Sequence, residues 1–297
     1  MGFIMSMRLF YGLIAAALLA MIGSGNVPAA AVGKTVTIYP LGDSITFGWS
    51  RVTKDHRIPG GFRAELYTLL THAGYTVHFV GSNTRNATRT LKRHHATQHD
   101  GWPGWRIDQI ASHVKQWLAH SGYRFKGPAY PNFILLHIST NDIIQHFDPK
   151  YPAKNESESQ FMRDMESRMT QLVQELVTLR PKAHLLVAEV IPLGGWSPKL
   201  KSALWNKEVR EFNAFVKTRL VPACQAKGER VTAVNQYANF STPTGTPIWK
   251  HLPDKCHPDS YGYRLMAHTW FKAIMAILKR PAATEANHVM RANPAPR

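Results

Sequence analysis

Thr35-Val-Thr-Ile-Tyr-Pro-Leu41-Gly42-Asp43-Ser44-Ile-Thr46 decides the fold. Thr35–Leu41 is an apolar, β-branched run, and the chain then turns polar on a glycine. A strand buried on both faces of a parallel sheet reads this way, as a near-continuous apolar run. A serine just past its end stands where an open α/β sheet exposes reactive groups. Much later, Asp254-Lys-Cys-His257-Pro258 supplies a carboxylate and an imidazole close together. Nucleophilic catalysis uses such a set: a hydroxyl, a base that takes its proton, and an acid that orients the base.

Outward from that stretch, strand-like and helix-like segments alternate. Gly61–Ala73 predicts a helix with Phe62, Leu66, Leu69 and Leu70 on one side and Gly74 as its stop. Thr76–Val80 reads as a second strand, Arg106–His120 as a helix and Phe133–Ile138 as a third strand. Ser157–Leu179 is the clearest helix, its stripe of Phe161, Met165, Met169, Leu172, Leu176 and Leu179 ended by Pro181. His184–Ile191 follows as a strand, Lys201–Gln225 as a helix, Arg230–Val234 as a fifth strand and Ser260–Leu278 as the last helix. Such repeated units predict a three-layer α/β/α domain around a mainly parallel five-stranded sheet with right-handed crossovers. With 297 residues, 44% of them apolar, one domain can bury a full core.

The ends read differently. Arg8 is the only early charge, Leu9–Ile22 is apolar, and small residues continue to Ala31, the pattern of a secretory leader over residues 1–31. The apolar run is shorter than the ~20 residues a membrane span needs. A catalytic domain is expected over residues 32–280, and residues 281–297 form an aperiodic tail. Secretion, or export to a periplasm, would place Cys224 and Cys256, the only cysteines, in an oxidising compartment. They are a candidate disulfide, with two free buried thiols as the alternative.

The formal charge of +17 favours anionic surroundings such as acidic polysaccharide, although the scattered Lys and Arg also suit plain solvation. No specific nucleic acid partner and no membrane span of the mature chain are expected. The local basic stretch Arg89, Lys92, Arg93, His94, His95 and His99 lacks a metal-ligand spacing, so no metal is expected there.

Ser44, Asn141-Asp142, and Asp254 with His257 all follow predicted strands or precede the last helix, and so converge on one rim of the sheet. Taken in order, Gly42-Asp43-Ser44, Gly101-Trp-Pro-Gly104-Trp-Arg-Ile, Ser139-Thr-Asn141-Asp142 and Asp254-x-x-His257 resemble the four blocks of the SGNH or GDSL-type hydrolases. The resemblance spans about residues 35–275. Within that superfamily, the wording around Gly104–Ile110, Leu135–Asp142 and His257–Tyr263 is similar to the acetyl xylan esterases of carbohydrate esterase family three.

That resemblance implies a flavodoxin-like SGNH hydrolase fold and cofactor-free chemistry. Ser44 would be the nucleophile, His257 the base and Asp254 its orienting acid. The oxyanion hole would be the N–H groups of Ser44 and Gly104 with the Asn141 amide, Gly101 being the rival of Gly104. Asp43 and Asp142 would support the site. One departure is Ser139, where the family usually has glycine. If that position has a left-handed backbone, a side chain there strains the loop carrying Asn141.

Trp49, Trp102, Trp105 and Trp196 lie in or near expected rim loops, where flat faces would suit sugar rings, though tryptophans also fill interiors. No long apolar loop suggests an acyl channel. The expected activity is therefore that of a secreted serine esterase removing acetyl groups from a polysaccharide such as acetylated xylan. The alternatives are a lipase, lysophospholipase or thioesterase of the same superfamily, and a non-catalytic carbohydrate-binding protein.

Overall fold

The structure, a computed structural model, describes residues 34–120, 131–147, 157–194 and 202–279. The expected leader, the tail and Trp196 lie outside the described residues. The strands are β1 (Thr35–Gly42), β2 (Thr76–Phe79), β3 (Asp100–Gly101), β4 (Phe133–His137), β5 (His184–Ala188) and β6 (Val231–Val234). The α-helices are α1 (Ser44–Phe47), α2 (Phe62–His72), α3 (Arg89–Arg93), α4 (Ile107–His120), α5 (Thr140–Phe147), α6 (Glu158–Leu179), α7 (Ser202–Phe215), α8 (Val221–Ala226) and α9 (Ser260–Leu278). Among the described residues, no helix is long and apolar enough to cross a membrane.

All strand pairings are parallel, in the order β2-β1-β4-β5-β6, with the two-residue β3 also beside β1. Side chains alternate between two cores. Tyr39, Leu41, Ile134, Leu136, Leu185 and Val187 face one, covered by α4, α6 and α7. Val36, Ile38, Phe133, Leu135, Leu186 and Ala188 face the other, covered by α2 and α9. The sheet is thus the middle of three layers, as the apolar runs predicted.

Pro40 sits in a central strand, where its missing N–H would ordinarily break the ladder. Ile38 O accepts from Val80 N and Gly42 O from Trp102 N, both at 2.9 Å, so Pro40, two residues from each, faces the interval between β2 and β3. No strand there requires a donor.

Two boundaries differ from expectation for identifiable reasons. The predicted strand His184–Ile191 stops at Ala188, because β6 ends at Val234. Beyond it side-chain amides replace a partner strand: Asn213 Oδ1 accepts from Val190 N at 2.7 Å, and its Nδ2 donates to Val190 O at 2.9 Å. The predicted helix Lys201–Gln225 is interrupted by a π turn over Val216–Leu220. Pro222, which has no N–H to continue the α ladder, follows directly. The short elements β3 and α5 were not expected, and both serve the rim.

Candidate active site

β1 ends in Gly42, whose close packing leaves no room for a side chain: an added Cβ would lie 1.9 Å from His137 O and 2.6 Å from Thr46 Oγ1. Asp43 then caps α1, its Oδ1 accepting from Ile45 N at 2.9 Å. Ser44 is the first residue of that helix. The cap is thus the Asp43 carboxylate, which leaves the Ser44 hydroxyl for other partners.

On the opposite side of the rim, Asp259 caps α9 by accepting from Gly262 N at 2.7 Å, and the preceding loop carries the imidazole. Ser44 Oγ lies 2.9 Å from His257 Nε2, and His257 Nδ1 lies 2.8 Å from Asp254 Oδ2. Because ionised Asp254 can only accept, Nδ1 carries the proton and Nε2 is left to accept from the serine. Asp254 Oδ1 also accepts from the backbone N–H groups of His257 at 2.6 Å and Cys256 at 3.0 Å. Burial alone would raise the Asp254 pKa, but the hydrogen bonds and charge of His257 hold it below the ordinary aspartate value. Arg51 Nε stands 3.8 Å from the same carboxylate.

Two hydrogen bonds clamp the nucleophile loop to the histidine loop: Ser50 Oγ to Pro258 O at 2.8 Å and Tyr263 OH to Trp49 O at 2.6 Å. They bring the half-buried Trp49 against the His257 ring. Trp102 and Trp105 are also half-buried, stacked on each other at 5.2 Å and each on Trp117 at 5.6 Å. They pack against the core while flanking the rim.

The two rival glycines stand in different surroundings. Gly101 N donates to His99 Nδ1 at 3.0 Å, and His99 Nε2 in turn donates to Arg85 O at 2.9 Å. That arrangement requires a neutral imidazole, which burial enforces by pushing the His99 pKa well down. Gly104 is exposed, has φ 83°, and an added Cβ there would meet nothing within 4 Å. Its carbonyl accepts from Gln145 Nε2 at 2.7 Å. Asn141, buried at the start of α5, donates one amide proton to Trp105 O at 3.0 Å and retains a second.

Ser139 has φ 99°, is fully buried, and its Oγ has no hydrogen-bond partner among the described residues. Asp142 is an anchor: Oδ2 accepts from Ile107 N at 3.1 Å and Oδ1 from Arg168 Nη2 at 3.3 Å, tying α5 to α4 and α6. Burial pushes its pKa up to about 6 against the pull of Arg168. Burial likewise raises Asp43 to about 7 and lowers His137, whose Nδ1 is 4.0 Å from Asp43 Oδ1, to about 4.

The candidate disulfide is corrected: Cys224 and Cys256 are both free and buried. Cys224 is on α8, just before β6 begins at the amino end of the sheet, whereas Cys256 lies at the carboxyl rim beside His257. The two are separated by the length of the strands. Among the described residues no group of three or more His, Cys, Asp and Glu could hold a metal.

Sequence reasoning missed Arg51, Gln145 and His137. Gln145 follows Asn141 by one helical turn, a signal that becomes readable only once Thr140–Phe147 is recognised as a helix. His137 was hidden inside an apolar strand.

A family model described as the GDSL-like lipase/acylhydrolase family matches residues 41–265. The chain is similar to a multidomain esterase of Ruminococcus flavefaciens, 26% identical over 259 residues that represent 82% of this chain and 29% of that protein. It therefore spans less than a third of that relative's length. Among solved structures, a family 3 carbohydrate esterase of Clostridium thermocellum is similar with a TM-score of 0.57 and 26% identity, over 83% of this chain and 98% of that one. A carbohydrate esterase family 3 protein from Talaromyces cellulolyticus has a TM-score of 0.55 at 18% identity, over 82% and 98%, a likeness of fold.

Proposed function

This chain belongs to the GDSL-like lipase/acylhydrolase family, and from that premise we propose that it is a serine esterase removing acetyl or similarly short acyl groups from a polysaccharide, acetylated xylan among the candidates. The observation that carries the reading is the unbroken chain from Ser44 Oγ through His257 to Asp254, at 2.9 and 2.8 Å.

In the proposed mechanism Ser44 Oγ attacks the ester carbonyl as His257 Nε2 takes its proton. Asp254 stabilises the imidazolium without accepting that proton. Negative charge on the carbonyl oxygen is met by the N–H groups of Ser44 and Gly104 and by the second amide proton of Asn141. His257 returns the proton to the leaving alcohol, and the acyl-Ser44 intermediate is then hydrolysed by water with the same base. The half-buried faces of Trp49, Trp102 and Trp105 would border the sugar. The protein would act outside the cytoplasm, residues 1–31 serving as its leader, which the N-terminal sequence of the exported protein tests.

The functional test is hydrolysis of p-nitrophenyl esters from acetyl to palmitoyl by the wild type and Ser44→Ala. Serine-dependent cleavage that is fastest with acetyl is expected. A maximum at long chains would move the reading to a lipase, and no serine-dependent cleavage would overturn it.

A further inference from the structure

The nucleophile segment is bonded through its backbone to two tryptophans. Trp102 N donates to Gly42 O and Trp49 N to Ser44 O, each at 2.9 Å, so the backbones of both tryptophans are tied to the segment that carries Ser44. Each is overlain by an exposed arginine: Arg51 Cζ is 5.8 Å from the Trp49 ring centroid and Arg85 Cζ is 5.6 Å from that of Trp102. These distances suit cation–π contact, which orients the guanidinium at little cost in freedom.

Both arginines turn Nε towards the protein, Arg85 in a hydrogen bond and Arg51 in a longer charge contact. Arg85 Nε donates to Asn83 Oδ1 at 3.4 Å, while Arg51 Nε faces Asp254 Oδ2 at 3.8 Å. With Nε turned inward, each offers its terminal amino groups as donors in a planar fork. Such a fork matches a carboxylate in two parallel hydrogen bonds, while the stacked rings beneath, Trp49 on His56 and Trp102 on Trp105 and Trp117, serve as rigid supports for it. A neutral glycan would leave both forks unused. A glycan bearing carboxylates would engage them, and the +17 charge of the chain would draw it in.

Resting on the esterase reading, we propose that the substrate is an O-acylated polyanionic glycan with uronic acid residues near the acylated sugar. Arg51 and Arg85 are its specificity-determining residues, each over a tryptophan whose backbone is bonded to the nucleophile segment. Their contribution is to binding, so it falls on KM more than on kcat.

The test compares acetate release from O-acetylated polygalacturonate and from an acetylated xylan free of uronic acid, at equal acetyl content. Each rate is normalised to the same protein's kcat/KM on p-nitrophenyl acetate. The wild type should prefer the polyuronate by on the order of tenfold, a preference reduced by added salt. Arg85→Gln and Arg51→Gln should each lose most of it through KM, and Arg85→Lys should recover only part, because an ammonium cannot form the fork. Lys272→Gln, which removes an exposed cation of α9, should keep the preference. Hydrolysis of p-nitrophenyl acetate with equal efficiency on the two polymers would overturn this proposal alone, as would a loss of preference in Lys272→Gln equal to that in Arg85→Gln. Absence of Ser44-dependent hydrolysis of every ester would overturn the esterase reading and this proposal with it.

Discussion

Trp49 and His257 lie with their ring centroids 4.2 Å apart, tilted by 53°. Two hydrogen bonds hold the imidazole from its ends, to Ser44 and Asp254, and the indole supplies a wall against its face. Trp49→Ala removes that wall, and a displaced base costs about 10- to 100-fold in rate. The expected result is a fall in kcat for p-nitrophenyl acetate with KM little changed and partial rescue by Trp49→Phe. A rise in KM alone would make Trp49 a substrate platform only.

Ser139→Gly should stabilise the protein. The φ of 99° is one an L side chain resists at about 1–2 kcal/mol, and the buried hydroxyl lacks a partner among the described residues. Glycine's greater freedom in the unfolded chain offsets up to ~1 kcal/mol of the gain. A rise of a few degrees in Tm by calorimetry is expected, at about 2–4 °C per kcal/mol for a domain of this size. Activity should be retained, since the Asn141 bond to Trp105 O does not involve the Ser139 side chain. A fall in Tm would show that the hydroxyl is held by a stronger interaction than its strain.

Asp43→Asn should have a stability effect that depends on pH. In the unfolded chain Asp43 ionises near 3.9, but in the folded one burial delays ionisation to about 7. Between those values the folded state holds more protons, so this group's contribution to wild-type stability declines as pH rises from about 4 to 7. Asparagine keeps the cap on Ile45 N and cannot ionise. The variant should therefore gain on the wild type by up to about 4 kcal/mol between pH 4 and 8 in urea unfolding. The buried His137 imidazole has the opposite slope, its contribution being lost as pH falls from 6.5 towards 4, but it is present in both proteins. A difference independent of pH would show that Asp43 does not titrate in this window.

The fold was legible because its central strands are buried on both faces and so read as unbroken apolar runs, Thr35–Leu41 and Phe133–Ile138 above all. The residues after those runs, Ser44 and Asn141, stood at the rim for the same reason. Less legible was whatever depends on contacts distant in sequence. β3 is two residues long and exists only because β1 offers it an edge. The His99 imidazole that occupies the Gly101 N–H looked like part of a basic surface stretch, and Arg51 meets Asp254 across some two hundred residues. Ser139 lay between these cases: its departure from the family pattern was visible, and its left-handed backbone required coordinates.

Asn141 and Gln145 make the final prediction, because they separate an oxyanion donor from the group that positions its neighbour. Asn141 offers its second amide proton towards the reacting carbonyl in the proposed mechanism, whereas Gln145 touches Gly104 O at 2.7 Å and is itself held by Arg106 Nη1 at 2.6 Å. Asn141→Ala should lower kcat by about 100- to 1000-fold with KM little changed, the loss of one donor used only in the transition state. Gln145→Ala removes a positioning residue one step back and should cost about tenfold. Since both act on one oxyanion, the double variant should lose less than the product of the two effects. Steady-state kinetics on p-nitrophenyl acetate checks all three. A loss below about threefold in Asn141→Ala would mean that its amide only ties α5 to Trp105 O, and the hole would then consist of backbone donors alone.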